Sequence, residues 1–199
     1  MDNTKLDLHE DLIPEFQREL PLGIEQVVAI NPFIGIDTPY SDFWLNVIYE
    51  NEVYGGNLSK FGKEVAKHVT GKTFLDLGCG IPYQVSAAAE KLGAKKYIGI
   101  DKNVPLKPFK ITERAMPAYA VKGDILSFLA RRSASDGTVF FSYGIDAHSN
   151  KDFERYLSAV YDEMKRLGKK GDIAFSESNV INPEKAGFKR NEKGFYVFS

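Results

Sequence analysis

The residues best suited to chemistry lie in a glycine-containing turn, Asp76-Leu77-Gly78-Cys79-Gly80, that follows an apolar stretch. Gly78 and Gly80 let the backbone approach a ligand that a side chain would keep away, because glycine has no Cβ. A dinucleotide fold also needs glycine at position 83, so that a pyrophosphate can rest on the helix N-terminus. Position 83 is Tyr, and Pro82 removes a backbone donor there. The turn therefore indicates a nucleoside ligand without a pyrophosphate.

Two acidic residues lie at or just after the ends of the next two apolar stretches. Their carboxylates have the chemistry to bind such a nucleoside. Asp101 ends the stretch at residues 97–101, and a carboxylate at a strand end can accept hydrogen bonds from both ribose hydroxyls. Asp124 follows the third stretch, within Lys122-Gly123-Asp124-Ile125. Its carboxylate can accept a hydrogen bond from the exocyclic amine of an adenine. The turn and the two acids together predict an adenosine bound at successive strand ends.

The elements that must position these residues follow from the pattern after residue 71. Short apolar runs alternate with helical patterns, which predicts an α/β fold with a mostly parallel sheet and helices on both faces. The last two runs are separated by too few residues for a crossover helix and predict an antiparallel hairpin. The predicted strands cover residues 73–77, 97–100, 119–121, 139–143, 173–175, 187–190 and 194–198.

Residues 1–70 have a different pattern and are predicted to form a helical N-terminal extension. Apolar residues at near-helical spacing predict helices at residues 6–20, 42–53 and 58–69. A domain boundary is therefore expected near residue 70, and residues 71–199 are expected to form the ligand-binding domain.

Composition limits the class of protein. The 199 residues contain 26 Lys and Arg against 27 Asp and Glu, so no overall positive field attracts nucleic acid or anionic lipid. One Cys and three His rule out a disulfide framework and a Cys- and His-rich zinc site, and they indicate a reducing compartment. No uninterrupted apolar run approaches about 18 residues, and the start lacks the signal-peptide pattern. The expectation is a cytoplasmic protein without membrane or metal.

The ordered set of motifs resembles the class I S-adenosylmethionine-dependent methyltransferases. The glycine motif at residues 76–80, the strand-end Asp101, the Gly123-Asp124 pair and the turn at residues 167–172 appear in the family's order. The resemblance covers about residues 70–199. It implies a three-layer Rossmann-like sandwich with a mostly parallel seven-stranded sheet and one antiparallel strand near the C-terminal edge.

The resemblance also implies an activity and its residues. The enzyme is expected to transfer the methyl group of S-adenosylmethionine to a small or medium-sized metabolite, with residues 1–70 as a lid over the pocket. Such a transfer needs mainly alignment, with a base where the acceptor must lose a proton. Asp146 and His148 are the expected acceptor partner and base, beside Glu177 and Asn179. The implied cofactor-binding residues are Asp76, Gly78, Cys79, Gly80, Asp101, Lys102, Gly123, Asp124, Ile125 and Tyr143.

Other functions stay open at this point. Pro82 replaces the family's third glycine, and Lys169-Lys170 stand where Pro-Gly is usual, although a ligand without a phosphate tolerates both departures. An RNA or protein methyltransferase would use the basic residues within 165–170 and 185–193. A non-catalytic S-adenosylmethionine-binding protein is the third alternative. A nicotinamide-dependent reductase is a fourth, and Tyr83 and Pro82 oppose it.

Single residues have structural alternatives as well. The glycines also suit a tight turn without a ligand, and Asp76 can hold its own loop. Asp124 can serve only as a helix N-cap, and Cys79 is expected to be a small residue that fits the turn rather than a reactive thiol. His148 can be a capping or solvated histidine.

Overall fold

A computed structural model describes residues 26–29, 57–80, 83–102, 116–133, 137–142, 153–176, 182–193 and 195–199. In chain order the elements are β1 (Gln26–Ala29), α1 (Lys60–Val69), β2 (Thr73–Leu77), α2 (Tyr83–Lys91), β3 (Lys96–Asp101), β4 (Ala118–Lys122), α3 (Ile125–Ala130), β5 (Thr138–Ser142), α4 (Phe153–Leu167), β6 (Ile173–Ser176), a short 3-10 helix (Pro183–Ala186), β7 (Phe188–Arg190) and β8 (Tyr196–Phe198). The strands predicted from residue 73 onward are all present, with ends that differ by one or two residues.

The strands form one eight-stranded sheet in the order β1-β4-β3-β2-β5-β6-β8-β7. The five strands from β4 to β6 in this order are mutually parallel. β8 lies antiparallel between β6 and β7, which confirms the predicted antiparallel strand near the C-terminal edge. Seven of the eight strands thus form the predicted sheet.

The eighth strand, β1, lies within the N-terminal extension, for which only helices were predicted. β1 pairs antiparallel with β4 at the other edge of the sheet, with Val27 opposite Val121. Four residues are too few to show a periodicity, and the pairing joins positions far apart in the chain, so the local pattern gave no signal. The predicted helices at residues 6–20 and 42–53 lie outside the described residues. Of the predicted lid at residues 1–70, the structure describes residues 26–29 and 57–70, which contain β1 and α1, and the rest lies outside the described residues. The predicted helix at residues 58–69 is present as α1, and the side chain of Ser59 accepts a hydrogen bond from Gly62 N as its N-cap.

Helices cover both faces of the sheet. On one face the core joins Val65 and Val69 of α1 and Ala88 of α2 to Phe74 and Tyr97 of the sheet, all fully buried. These strand residues alternate with residues that face the other way, because successive side chains of a strand point to opposite sides.

The opposite core joins Phe128 of α3 and Val160 and Met164 of α4 to Leu75 and Ile98. Because both faces are buried, the central strands are almost continuously apolar, as parallel strands usually are. The protein is therefore a three-layer α/β sandwich.

The order of the strands places the topological switch point of the sheet at β2. β2 lies between β3 and β5, so the chain runs outward from β2 in one direction and later in the other. Leu77 at the end of β2 pairs in register with Ile100 of β3 and with Ser142 of β5. Open α/β sheets bind ligands at such a switch point, outside the carboxyl ends of the strands. The glycine turn starts at this position.

Candidate functional site

The glycine turn after β2 has a backbone that requires glycine. Gly78 and Gly80 have φ values of 81° and 50°, in the left-handed region that side chains disfavour. The turn is fixed to the neighbouring strand, because Gly78 N and Cys79 N donate to the carbonyl oxygen of Ile100 at 2.8 and 3.2 Å. A Cβ built on Gly80 meets no described atom within 4 Å. The turn therefore presents backbone to open space beside the carboxyl ends of β2 and β3.

Asp101 joins the ends of three strands. Its Oδ2 accepts a hydrogen bond from Gly80 N at 3.0 Å, so the carboxylate reaches back from the end of β3 to the glycine turn. Its main-chain oxygen accepts a hydrogen bond from Gly123 N, after β4, at 3.1 Å. A carboxylate has about four acceptor positions and can accept several hydrogen bonds at once, including bonds from hydroxyl groups. Three predicted cofactor-binding residues, Gly80, Asp101 and Gly123, are thereby brought together.

Asp124 is the N-cap of α3, as its structural alternative predicts. Its Oδ1 accepts a hydrogen bond from Ser127 N at 2.8 Å, and its Oδ2 accepts one from the hydroxyl of Tyr156 at 2.9 Å. Burial and the adjacent carboxylate raise the pKa of Tyr156, so its hydroxyl stays protonated and donates. Contact between Asp124 and an adenine stays a prediction. Ile125, the next predicted residue, is buried as the first residue of α3.

Asp76 is a buried acid directly beneath the glycine turn. Its side chain is 1% exposed, and its Oδ2 accepts a hydrogen bond from the Tyr97 hydroxyl at 2.5 Å. Its Oδ1 is buried and has no hydrogen-bond partner among the described residues. The pKa of Asp76 is raised to about 7, because burial raises it, the hydrogen bond from Tyr97 opposes the rise, and the charge of Asp101 adds to it. An unpartnered buried carboxylate oxygen is uncommon in a folded protein and requires an explanation.

Gly99 makes room for this cluster. It pairs in register with Asp76, and a Cβ at position 99 would lie 2.8 Å from the Cys79 sulfur and 2.9 Å from the Tyr97 hydroxyl oxygen. Burial and the charges of Asp76 and Asp101 raise the pKa of the Cys79 thiol. The thiol therefore stays protonated, which agrees with the expected packing role and disfavours a nucleophile.

Tyr97, Gly99 and Tyr156 are site residues that the sequence reasoning missed. The sequence did contain a signal for two of them. Tyr97 and Gly99 alternate with Ile98 and Ile100, so they lie on the same side of the strand as Asp101, which ends it. Tyr156 gave no such signal, because its position on the apolar face of α4 indicates a core residue.

The remaining predicted residues are less well placed by the structure. Lys102 is exposed directly after β3. Tyr143, Asp146 and His148, together with Glu177 and Asn179, lie outside the described residues. The strands that precede them end in register at Ser142 and Ser176, at the same edge as the glycine turn. Their roles on the acceptor side stay predictions.

None of the helices in the described ranges is long and apolar enough to cross a membrane. No protein-family model matches the chain, and no curated protein matches it either.

Proposed function

We propose that the protein is an S-adenosylmethionine-dependent methyltransferase acting on a small or medium-sized metabolite. The observation that carries the proposal is the position of Asp101, whose carboxylate is bonded to Gly80 N at 3.0 Å while its carbonyl accepts from Gly123 N at 3.1 Å. One acid thus lies among three loops at the carboxyl ends of β2, β3 and β4. Its chemistry suits the two vicinal hydroxyls of a ribose.

The residues present fit this cofactor. Gly80 offers backbone beside open space, and the neighbouring carboxylate would bind the ribose. Asp76 offers a buried oxygen, unpartnered among the described residues, to a hydrogen-bond donor such as the cofactor's amino group. When bound, S-adenosylmethionine supplies an electrophilic methyl group on a sulfonium centre. No dedicated nucleophile on the protein is required, and Cys79, whose pKa is raised by burial, does not provide one.

The acceptor side of the proposal rests on residues that follow β5 and β6. Asp146 would orient the acceptor, and His148 would take its proton where one must leave, because an imidazole titrates near neutral pH. Alignment of the acceptor with the methyl group would supply most of the rate enhancement. The proposal includes a reducing, cytoplasmic location, since a single cysteine excludes an intramolecular disulfide.

The position of the basic run gives no support to an RNA acceptor. Lys165 lies in the last turn of α4, and Lys169 and Lys170 come just before β6. These exposed residues therefore lie near the amino end of β6, which is parallel to β5, whereas the proposed site lies at the carboxyl ends of the parallel strands. A lysine run at the end of a helix also has an ordinary explanation in the helix dipole.

Calorimetric titration with S-adenosylmethionine and S-adenosylhomocysteine tests the cofactor proposal. We expect saturable binding of both, and Asp101→Asn is expected to weaken it by about 2 kcal/mol, on the order of 30-fold, because a charge-assisted bond becomes a neutral one. The matched control is Asp162→Asn on the exposed side of α4, which should bind like the wild type. Absence of binding at millimolar ligand would refute the proposal.

Transfer of a labelled methyl group into fractions of a cell extract tests the acceptor class. Label in small metabolites is the expected result. Label in RNA or protein would support that alternative instead, and binding of the cofactor without any transfer would identify a non-catalytic binding protein.

A further inference from the structure

The face of the sheet beneath the glycine turn holds a hydrogen-bonded pair, Asp76 and Tyr97, of which the proposed function uses only Asp76. Asp76 of β2 and Tyr97 of β3 lie on the same face and are both buried, at 1% and 0% exposure. The Tyr97 hydroxyl donates to Oδ2 of Asp76 at 2.5 Å. The other oxygen, Oδ1, has no partner among the described residues. One carboxylate oxygen therefore has a hydrogen-bond partner, and the other has none among the described residues.

We propose that Tyr97 is a positioning residue, which holds Asp76 so that its second oxygen accepts a hydrogen bond from the cationic amino group of the bound cofactor. The inference rests on the proposed function and extends it to a proton-linked step. The step itself is a simple exchange: a proton leaves the Asp76 carboxyl for solvent, and the ammonium group of the ligand then donates to the vacated carboxylate oxygen.

The local packing supports a fixed arrangement rather than an accidental contact. Gly99 lies between Tyr97 and Asp101 on β3 and in register with Asp76. A Cβ there would come within 2.9 Å of the Tyr97 hydroxyl and 2.8 Å of the Cys79 sulfur. The absence of a side chain at position 99 thus gives the hydroxyl the space it occupies. The phenol ring also stacks on Phe74, with centroids 6.0 Å apart.

The electrostatics make the exchange sensitive to pH. The described groups that act on Asp76 are Tyr97 and Asp101 of β3, with Cys79 above it in the glycine turn. The pKa of Asp76 is raised to about 7, chiefly by burial, and the charge of Asp101 acts in the same direction. The hydrogen bond from Tyr97 lowers the pKa, because it stabilises the carboxylate. Tyr97 thus lowers the pH above which the carboxylate can receive a cation.

Binding as a function of pH tests the inference with two ligands. S-adenosylhomocysteine carries the amino group, and methylthioadenosine lacks the amino-acid part. We expect affinity for S-adenosylhomocysteine to fall by about tenfold per pH unit below about pH 7, and affinity for methylthioadenosine to stay level. In Tyr97→Phe the midpoint for S-adenosylhomocysteine should move to higher pH. The matched control is Tyr161→Phe, which removes a buried hydroxyl bonded to Asn182 N on the opposite face and should leave the midpoint unchanged.

A direct titration keeps the test independent of binding and of any loss of stability. Carbon-13 NMR of the Asp76 carboxyl in the ligand-free protein should give a midpoint near pH 7, and a higher one in Tyr97→Phe. A merely structural tyrosine would lower the melting temperature without moving this midpoint, and that result would overturn the inference. Level affinity of S-adenosylhomocysteine across the pH range would also overturn it, while leaving the proposed function intact. If neither nucleoside binds at any pH, both are overturned.

Discussion

Asp76 lowers the stability of the fold at neutral pH because its carboxyl group must ionise inside the core. The pKa is about 7 in the folded protein against an ordinary value of 3.8. Between these values the native state keeps a proton that the unfolded chain releases, so stability falls as the pH rises from about 4 to about 7 and is level above that. A residue that destabilises the fold while facing a candidate site is typical of function.

The substitution Asp76→Asn removes this linkage. We expect the variant to match the wild type near pH 4 and to exceed it at pH 8 by on the order of 4 kcal/mol, because the amide never ionises. Urea denaturation at both pH values measures the difference. If the two proteins differed in unfolding free energy by the same amount at pH 4 and at pH 8, the raised pKa assigned to Asp76 would be contradicted. The variant should also lose affinity for S-adenosylhomocysteine.

Gly99 gives a second prediction at this scale. Gly99→Ala forces a methyl group against the Cys79 sulfur and the Tyr97 hydroxyl, at 2.8 and 2.9 Å. We expect a loss of about 1 to 3 kcal/mol in unfolding free energy, as for other overpacked cores, together with weaker cofactor binding. Thermal denaturation and calorimetry check the two effects, and a variant unchanged in both would show that the space at position 99 has no role.

Among the elements, the short helix α3 depends on its longer neighbour α4. Arg166 of α4 donates from its guanidinium to the carbonyl oxygens of Arg132 and Leu129, at 3.0 and 2.8 Å, and so satisfies groups at the end of α3. At the other end Asp124 caps the helix and accepts from Tyr156, also on α4. Side chains of α4 therefore bond to both ends of α3, and this fixes the position of the helix and of the loop that carries Asp124.

The substitution Arg166→Ala removes the C-terminal half of this support. Because the side chain is partly exposed, we expect a loss of only about 1 kcal/mol in unfolding free energy. The exposed neighbour Lys165 is the matched control, and Lys165→Ala should change stability by less than about 0.5 kcal/mol. Chemical denaturation of the two variants gives the comparison, and equal stabilities would show that the bonds across the two helices contribute nothing.

The amino ends of the strands contain a separate structural contact. Lys72, just before β2, forms a salt bridge of 3.0 Å with Asp172, just before β6, and also donates to Gly171 O. Asp172 is 1% exposed. Lys72→Met leaves that carboxylate buried without its cation, so we expect a loss of about 2 to 4 kcal/mol. Adding Asp172→Asn to Lys72→Met should restore part of the lost stability. If denaturation experiments show that the effects of the two substitutions on the unfolding free energy simply add, the two side chains do not act as a pair.

Most elements could be predicted because their signals are local. The strands from β2 to β8 are apolar runs bounded by turn residues, and α4 has an apolar face repeated over 15 residues. β1 escaped prediction because it has four residues and depends on pairing with β4. The hydrogen bonds of Tyr97 and Tyr156 could not be predicted for a related reason, because their partners lie 21 and 32 positions away in the chain.

At the scale of the whole molecule, the arrangement of the sheet assigns different roles to its two ends. The carboxyl ends carry the turn with Gly78 and Gly80 and a buried oxygen of Asp76 that is unpartnered among the described residues, and the amino ends carry a satisfied salt bridge. The first set is suited to a ligand and the second to stability. The sequence predicted that these acids and glycines lie together, because the strand ends of a parallel sheet converge on one edge; their contact with a ligand stays a prediction.

A crystal structure of the protein with S-adenosylhomocysteine tests the central claim most directly. The proposal predicts both ribose hydroxyls within hydrogen-bond distance of the Asp101 carboxylate, with the adenine beside Asp124 and the amino group at Oδ1 of Asp76. A ligand bound elsewhere, or an Asp101 carboxylate turned away from the sugar, would contradict it.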